Sequence, residues 1–210
     1  MKNHLKRIAS PRTWLIDRKA SVFITRPKPG AHPLEYGLPL GVIVRDALKL
    51  SSTMSEAKKV LNNNEVLIDG RRRKDYRFIV GLFDVIAVPS IKKYWRVVLD
   101  RKGRVVVIEI PEKESKIKLC KVVNKTVLPK GKLQYNFHDG KNIISEEKAR
   151  VGDTFVLELP TFKVQKVIPL KPGAAIFLMG GGLSGNLGEL KELKGDEAIY
   201  TIDSRKTETA

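Results

Sequence analysis

The chain has 210 residues, of which 42% are hydrophobic, enough for packed cores and against wholesale disorder. Forty Lys and Arg against 23 Asp and Glu give a net charge of +17, a field that draws in nucleic acid or anionic lipid. A single cysteine, Cys120, excludes an internal disulfide framework and a multi-cysteine zinc site; the longest apolar run, from Ala174 to Met179, is too short to span a bilayer.

The lipid alternative lacks support, because neither a basic amphipathic helix nor a lipidation signal is found. The basic start, Met1-Lys2-Asn3-His4-Leu5-Lys6-Arg7, also lacks the apolar run of a secretory leader. A soluble, intracellular, nucleic-acid-associated protein is the class that remains. The charge is spread along the chain: +6 over residues 1–37, +3 over 38–90, +9 over 91–170 and −1 over 171–210. That distribution suits long contact with a polyanion rather than one basic tail.

Residues 1–37 read as an extended basic arm. Pro11, Pro27, Pro29, Pro33, Gly30 and Gly37 punctuate it, and Arg26-Pro27-Lys28-Pro29-Gly30 forbids regular structure. Trp14, Leu15 and Ile16 can anchor it by packing, or the arm can order itself against RNA, with Trp14 stacking on a base. Lys6, Arg7 and Arg12 are its candidate phosphate contacts.

Residues 38–90 predict a small α+β module. Pro39 suits a first helical turn, and Leu40, Ile43, Val44, Ala47 and Leu48 follow the helical i, i+3, i+4, i+7 spacing. Thr53-Met54-Ser55-Glu56 has the pattern of a capping box, opening a second helix that Asn62-Asn63-Asn64 ends. Then Glu65 to Ile68, a turn at Asp69-Gly70, and Arg71-Arg72-Arg73-Lys74 predict a hairpin whose second strand begins with four cations. Alternation sends Arg71 and Arg73 to one side, Arg72 and Lys74 to the other. Arg45, Lys49, Lys58 and Lys59 on the helices join the candidate contacts, and the strand Asp84 to Val88 closes the module.

Residues 91–170 read as entirely β. A hairpin spans Tyr94 to Ile110 around a turn carrying Arg101, Lys102 and Arg104, which repeats the cationic arrangement. The alternation Lys116-Ile117-Lys118-Leu119 predicts a sheet face studded with lysine, facing solvent or RNA. Residues 171–210 predict three strands around Gly180-Gly181-Gly182, as in a piece of an SH3-like barrel. No Gly-Lys-Ser/Thr follows that triple glycine, so it is not read as a nucleotide loop. Overall the chain is expected to be α+β, mainly β: the arm (1–37), the α+β module (38–90), a central β domain (91–170) and a C-terminal segment (171–210).

Enzymatic chemistry has little foothold. His4, His32 and His138 show no metal-ligand spacing, Cys120 lacks partners, and His138-Asp139 fits a turn ending at Gly140. No catalytic residue, metal, cofactor or small-molecule substrate is therefore assigned.

Motifs along the whole chain resemble those of the archaeal and eukaryotic small-subunit ribosomal protein family called "S four e". They are His4-Leu5-Lys6-Arg7 with Ser10-Pro11 and Trp14; Leu38-Pro39-Leu40; Ile68-Asp69-Gly70; Phe83-Asp84-Val85-Ile86; Lys118-Leu119-Cys120-Lys121-Val122; His138-Asp139-Gly140; Val151-Gly152-Asp153-Thr154; and Gly180-Gly181 with Ser184-Gly185 and Leu187-Gly188. The resemblance implies an alpha-L-type RNA-binding module at 38–90, a central β domain, and a C-terminal SH3-like KOW barrel. It implies a non-enzymatic constituent of the cytoplasmic small ribosomal subunit, with ribosomal RNA and neighbouring ribosomal proteins as partners. Family members usually place basic or polar residues in the KOW turn, where Gly182, Leu183 and Asn186 stand here, and they continue for some tens of residues beyond position 210. The other readings are an RNA-modifying enzyme, which needs a catalytic domain of about 100–200 residues, and an RNA-binding translation or transcription factor with a KOW module.

Overall fold

The capping pattern at Thr53 forms as its spacing predicts. In the computed structural model, which describes residues 4–194, 197–202 and 205–209, the Thr53 hydroxyl accepts from the Glu56 amide at 3.2 Å. Glu56 Oε2 in turn accepts from the Thr53 amide at 3.3 Å, satisfying two otherwise free donors. The helix Met54–Asn63 buries Ala57 and Leu61. The preceding helix begins after Pro39, but its α-helical part is only Leu40–Val42, continued by a π-helical stretch, Ile43–Ala47. Leu40, Ile43 and Val44 are fully buried and form one core with Ala57, Leu61, Ile68 and Ile86.

That core is covered by a five-stranded antiparallel sheet in the order Arg71–Arg72, Leu67–Ile68, Val85–Val88, Lys93–Leu99, Val105–Ile110. Ile68 faces Arg71 in the predicted hairpin, and Asp69 and Gly70 both have positive φ, at 50° and 75°. This is the conformation a two-residue type I′ turn demands. The expected hairpin Tyr94 to Ile110 also forms, but not as part of the central β sheet. Val85–Val88 pairs with it from Val85↔Arg96 to Val88↔Lys93, because the chain simply continues its meander through the short turn at Pro89–Ile91.

The central sheet has the order Asn142–Ser145, Leu133–Phe137, Ile117–Val127, Thr154–Glu158, Lys163–Ile168, again antiparallel. Its inner face carries Cys120, Val122, Tyr135, Phe137, Phe155 and Leu157. The lysine-studded face needs correction. Lys118 lies two residues from Cys120 and four from Val122, so the pleat turns it inward with them, and it is fully buried. Leu119, Lys121 and Val123 occupy the exposed side instead. Arg96 bridges the two sheets, its Nη2 donating to the carbonyls of Glu114 and Ile117, each at 2.8 Å.

A third antiparallel sheet has the order Ala175–Phe177, Leu187–Lys194, Glu197–Ile202, Arg205–Thr209. The first strand stops two residues short of Met179. In the loop that follows, Gly185 has φ of +84°, and a Cβ there would lie 2.0 Å from the Asp100 carbonyl oxygen. The loop before the second strand thus seats directly on the basic turn of the hairpin at residues 93–110.

The arm is packed onto the module. Trp14 is 2% exposed, donates through Nε1 to the Leu34 carbonyl at 3.1 Å, and bridges to Val105. It is an anchor rather than an open stacking platform. Ile16 packs against the same core, whereas Leu15 is exposed. Leu5–Lys6 pairs with Phe23–Ile24, so short strands flank Pro11 ahead of the later proline breaks.

Candidate nucleic-acid interface

Hairpin geometry sorts the four consecutive cations. Arg71 lies over the Phe162 ring at 5.3 Å from its centroid, and Arg73 lies over Phe78 at 4.5 Å. Arg72 leaves from the other side of the strand, and its Nη2 donates to the Asn62 carbonyl at 3.1 Å, near the end of the second helix. That contact matches the preference for a cation at a helix C-terminus. Lys74 is exposed. Among the described residues, Arg71 and Arg73 have neither a carboxylate nor a hydrogen-bond acceptor, so their fixed guanidinium groups keep their donors available.

The other candidates are more varied. Lys58 sits over Tyr76 at 4.3 Å, and Lys49 and Lys59 are exposed on the same module. Arg45 is held by its neighbour Asp46 through bonds of 2.6 and 2.9 Å, and that hydrogen bond raises its pKa further. Arg104 is paired with Asp100 at 2.7 Å, while Arg101 and Lys102 on the same turn are exposed. On the arm, Lys6 and Arg12 are exposed, but Arg7 is 7% exposed and donates to the Asp17 carbonyl. Arg7 therefore braces the arm internally.

Beneath Arg71 and Arg73 lies a cavity of about 420 Å³ walled by the arm, the module and the central domain. At its floor three carboxylates converge on one buried ammonium. Lys118 Nζ lies 2.6 Å from Asp69 Oδ2, 2.5 Å from Asp84 Oδ1 and 2.9 Å from Asp139 Oδ2. Lys141 adds a second cation, 2.5 Å from Asp69 and 2.8 Å from Asp139. The remaining carboxylate oxygens are also used. Asp84 Oδ2 accepts from the Gly81 amide at 2.9 Å and bonds His32 Nε2 at 3.0 Å, and Asp69 Oδ1 accepts from the Val85 amide at 3.0 Å.

Burial pushes the Asp84 carboxyl toward its neutral form, but Lys118 and the His32 bond outweigh it and hold the pKa well below the usual carboxylate range. Asp139 is depressed for the same reason, burial being overcome by Lys118 and Lys141. Burial likewise opposes the Lys118 charge, and Asp84, Asp69 and Asp139 together reverse that and raise its pKa. Three carboxylates so close could hold a divalent ion, but the lysine ammonium already fills their centre. The cluster joins the arm through His32, the module through Asp69 and Asp84, and the central domain through Lys118, Asp139 and Lys141.

None of these cluster residues was singled out as functional by the sequence, although two signals were available. Lys118 is in phase with Cys120 and Val122, and Asp69 and Asp84 each sit at a turn beside apolar residues, Ile68 and Phe83. The two aromatic partners, Phe78 and Phe162, carried no signal of their own.

Family models match three consecutive stretches: the RS4NT domain over residues 1–35, the S4 domain over 39–86, and Ribosomal family S4e over 91–164. The small ribosomal subunit protein eS4 of Methanocella arvoryzae is 43% identical over 192 residues, covering 91% of this chain and 81% of that protein. That of Nanoarchaeum equitans is 40% identical over 194 residues, covering 92% and 83%. The crystal structure of the 30S ribosomal protein S4e from Thermoplasma acidophilum superposes with a TM-score of 0.69 at 27% identity, over 82% of this chain and 93% of that one. A mainly β, α+β chain with an S4 domain, sharing about two residues in five with these relatives over most of its length, belongs to the small ribosomal subunit protein eS4 family.

Proposed function

We propose that this chain is a structural constituent of the small ribosomal subunit, located with it in the cytoplasm, and that it binds ribosomal RNA through an extended basic surface. The observation that carries this reading is the pair of unmatched guanidinium groups, Arg71 and Arg73, held on the hairpin of an S4 domain in a chain of net charge +17. Each phosphate they neutralise releases condensed counterions, so binding draws its strength from charge and weakens as salt rises. Lys49, Lys58, Lys59, Lys74, Arg101 and Lys102 extend the surface on both sides of the hairpin. Neighbouring ribosomal proteins are the other expected partners.

The role is binding rather than bond-making. The cluster with the most unusual acid–base chemistry, at Asp69, Asp84 and Asp139, is neutralised internally by Lys118 and Lys141. We divide the chain into an arm at 1–37, an S4 module from 38, a central β domain and a C-terminal unit from 171. The last we read as a KOW-type, SH3-like unit on the strength of its short antiparallel strands and glycine turn.

The test is assembly followed by a high-salt wash. A core constituent stays with small subunits through many buried contacts, and a reversible translation or transcription factor is stripped off. Release at moderate salt, or no affinity for ribosomal RNA in dilute buffer, overturns the proposal.

A further inference from the structure

We propose that the cavity under Arg71 and Arg73 receives one unpaired RNA nucleotide, extruded from its helix. The inference deepens the RNA-binding reading above and rests on it. Its volume, about 420 Å³, falls in the range of sites that enclose single small ligands, too small for a duplex.

Its walls match the two halves of a nucleotide. Phe162 and Phe78 line the cavity beneath cations, Phe162 under Arg71 and Lys141 and Phe78 under Arg73, and a base pulled out of its stack regains contact by lying on guanidinium planes backed by such rings or along the ring edges. Arg71 and Arg73 are fixed by their contacts with those rings at 5.3 and 4.5 Å, contacts that use none of their N–H donors. The Nε of Arg73 is enclosed and has no partner. Two preorganised donor forks without acceptors are the geometry that recognises a phosphate.

The acidic floor does not repel the ligand. Lys118 and Lys141 occupy the carboxylates, and the four cations Arg71, Arg73, Lys118 and Lys141 outnumber the three carboxylates of Asp69, Asp84 and Asp139. The floor therefore sets the shape of the site, and the mouth supplies its charge.

The experiment compares a short RNA duplex with the same duplex carrying one looped-out 5-iodouridine, using the full chain. The bulged RNA should bind about tenfold more tightly, the scale of one base stacked on an aromatic ring. Irradiation should crosslink the iodouridine to Phe162 or Phe78. Phe162→Leu keeps an apolar side chain but removes the ring that also holds Arg71, so it should weaken binding of the bulged RNA more than of the duplex and remove the tenfold preference; Arg71→Gln, at an exposed position, should weaken the crosslink in a protein whose melting is unaltered. Equal affinity for the two RNAs, or crosslinks confined to other residues, overturns this proposal while leaving general RNA binding intact. Displacement of the crosslink by micromolar free uridine monophosphate would reassign the cavity to free nucleotides and overturn it too. Failure to bind either RNA would remove both readings together.

Discussion

Inside the junction between module and central domain, Lys118 and Lys141 each have counter-charges; at the hairpin, none of the four cations from Arg71 to Lys74 is paired with a carboxylate among the described residues. Lys118 touches three carboxylates within 2.9 Å, whereas Arg71 and Arg73 touch only ring faces. Both sets are lysine or arginine in β-rich segments, and composition treats them alike. The difference lies in what the fold brings opposite each one. A matched, buried cation is an element of stability; an unmatched one held at a surface is a contact waiting for an anion.

The sharpest way to break this comparison is to delete the matched cation. Lys118→Met leaves Asp69 and Asp139 to Lys141 and Asp84 to His32, and the cost should be about 3–5 kcal/mol, as for breaking a buried ion pair. Denaturant unfolding measures it. A loss below about 1 kcal/mol would mean that the carboxylates do not depend on this ammonium.

Acid should act on the same site more gradually. Asp84 and Asp139 have folded pKa values below those of the unfolded chain, so their contribution is complete above the unfolded Asp value of about 3.9 and is lost as pH falls toward the folded values. Unfolding free energy should thus decline steeply below about pH 4, and Lys118→Met should flatten that decline. A wild-type profile level down to pH 2 would contradict it.

Smaller effects are expected outside, and on binding rather than stability. Replacing Arg71 and Arg73 together with Gln should reduce the slope of log affinity against log salt by about 1–2, with little change in melting temperature. An unchanged slope would remove the hairpin from the contact surface. Arg104→Gln should matter least, because Arg104 is already matched by Asp100; a slope change as large as that of the double substitution would mean the pairing opens on RNA.

Local rules captured the module well. The capping box at Thr53, the Asp69-Gly70 turn and the alternation of Arg71 with Arg72 each depend on residues close in sequence, and each appears where its spacing placed it. Pairing partners were harder to read. Nothing local tells the hairpin at residues 93–110 whether to join the sheet before it or the one after it. The alternating pattern around Lys118 is legible, but the hydration of an ammonium predicts an outward lysine. Its inward position becomes tolerable only because turns at residues 69, 84 and 139, far apart in the chain, meet at one point. That convergence is tertiary information, and so is the shelter Phe162 gives Arg71.

The spacing of the Lys118 cluster along the polypeptide has a consequence for how the molecule is made. Emerging from a synthesising ribosome, the module can close its core by residue 110, with Asp69 and Asp84 still without their lysine. Their counter-ion arrives only with residue 118, and the third carboxylate with residue 139. Docking of the two halves is thus ordered by translation itself: the acidic socket is built first, and the lysine that plugs it comes later.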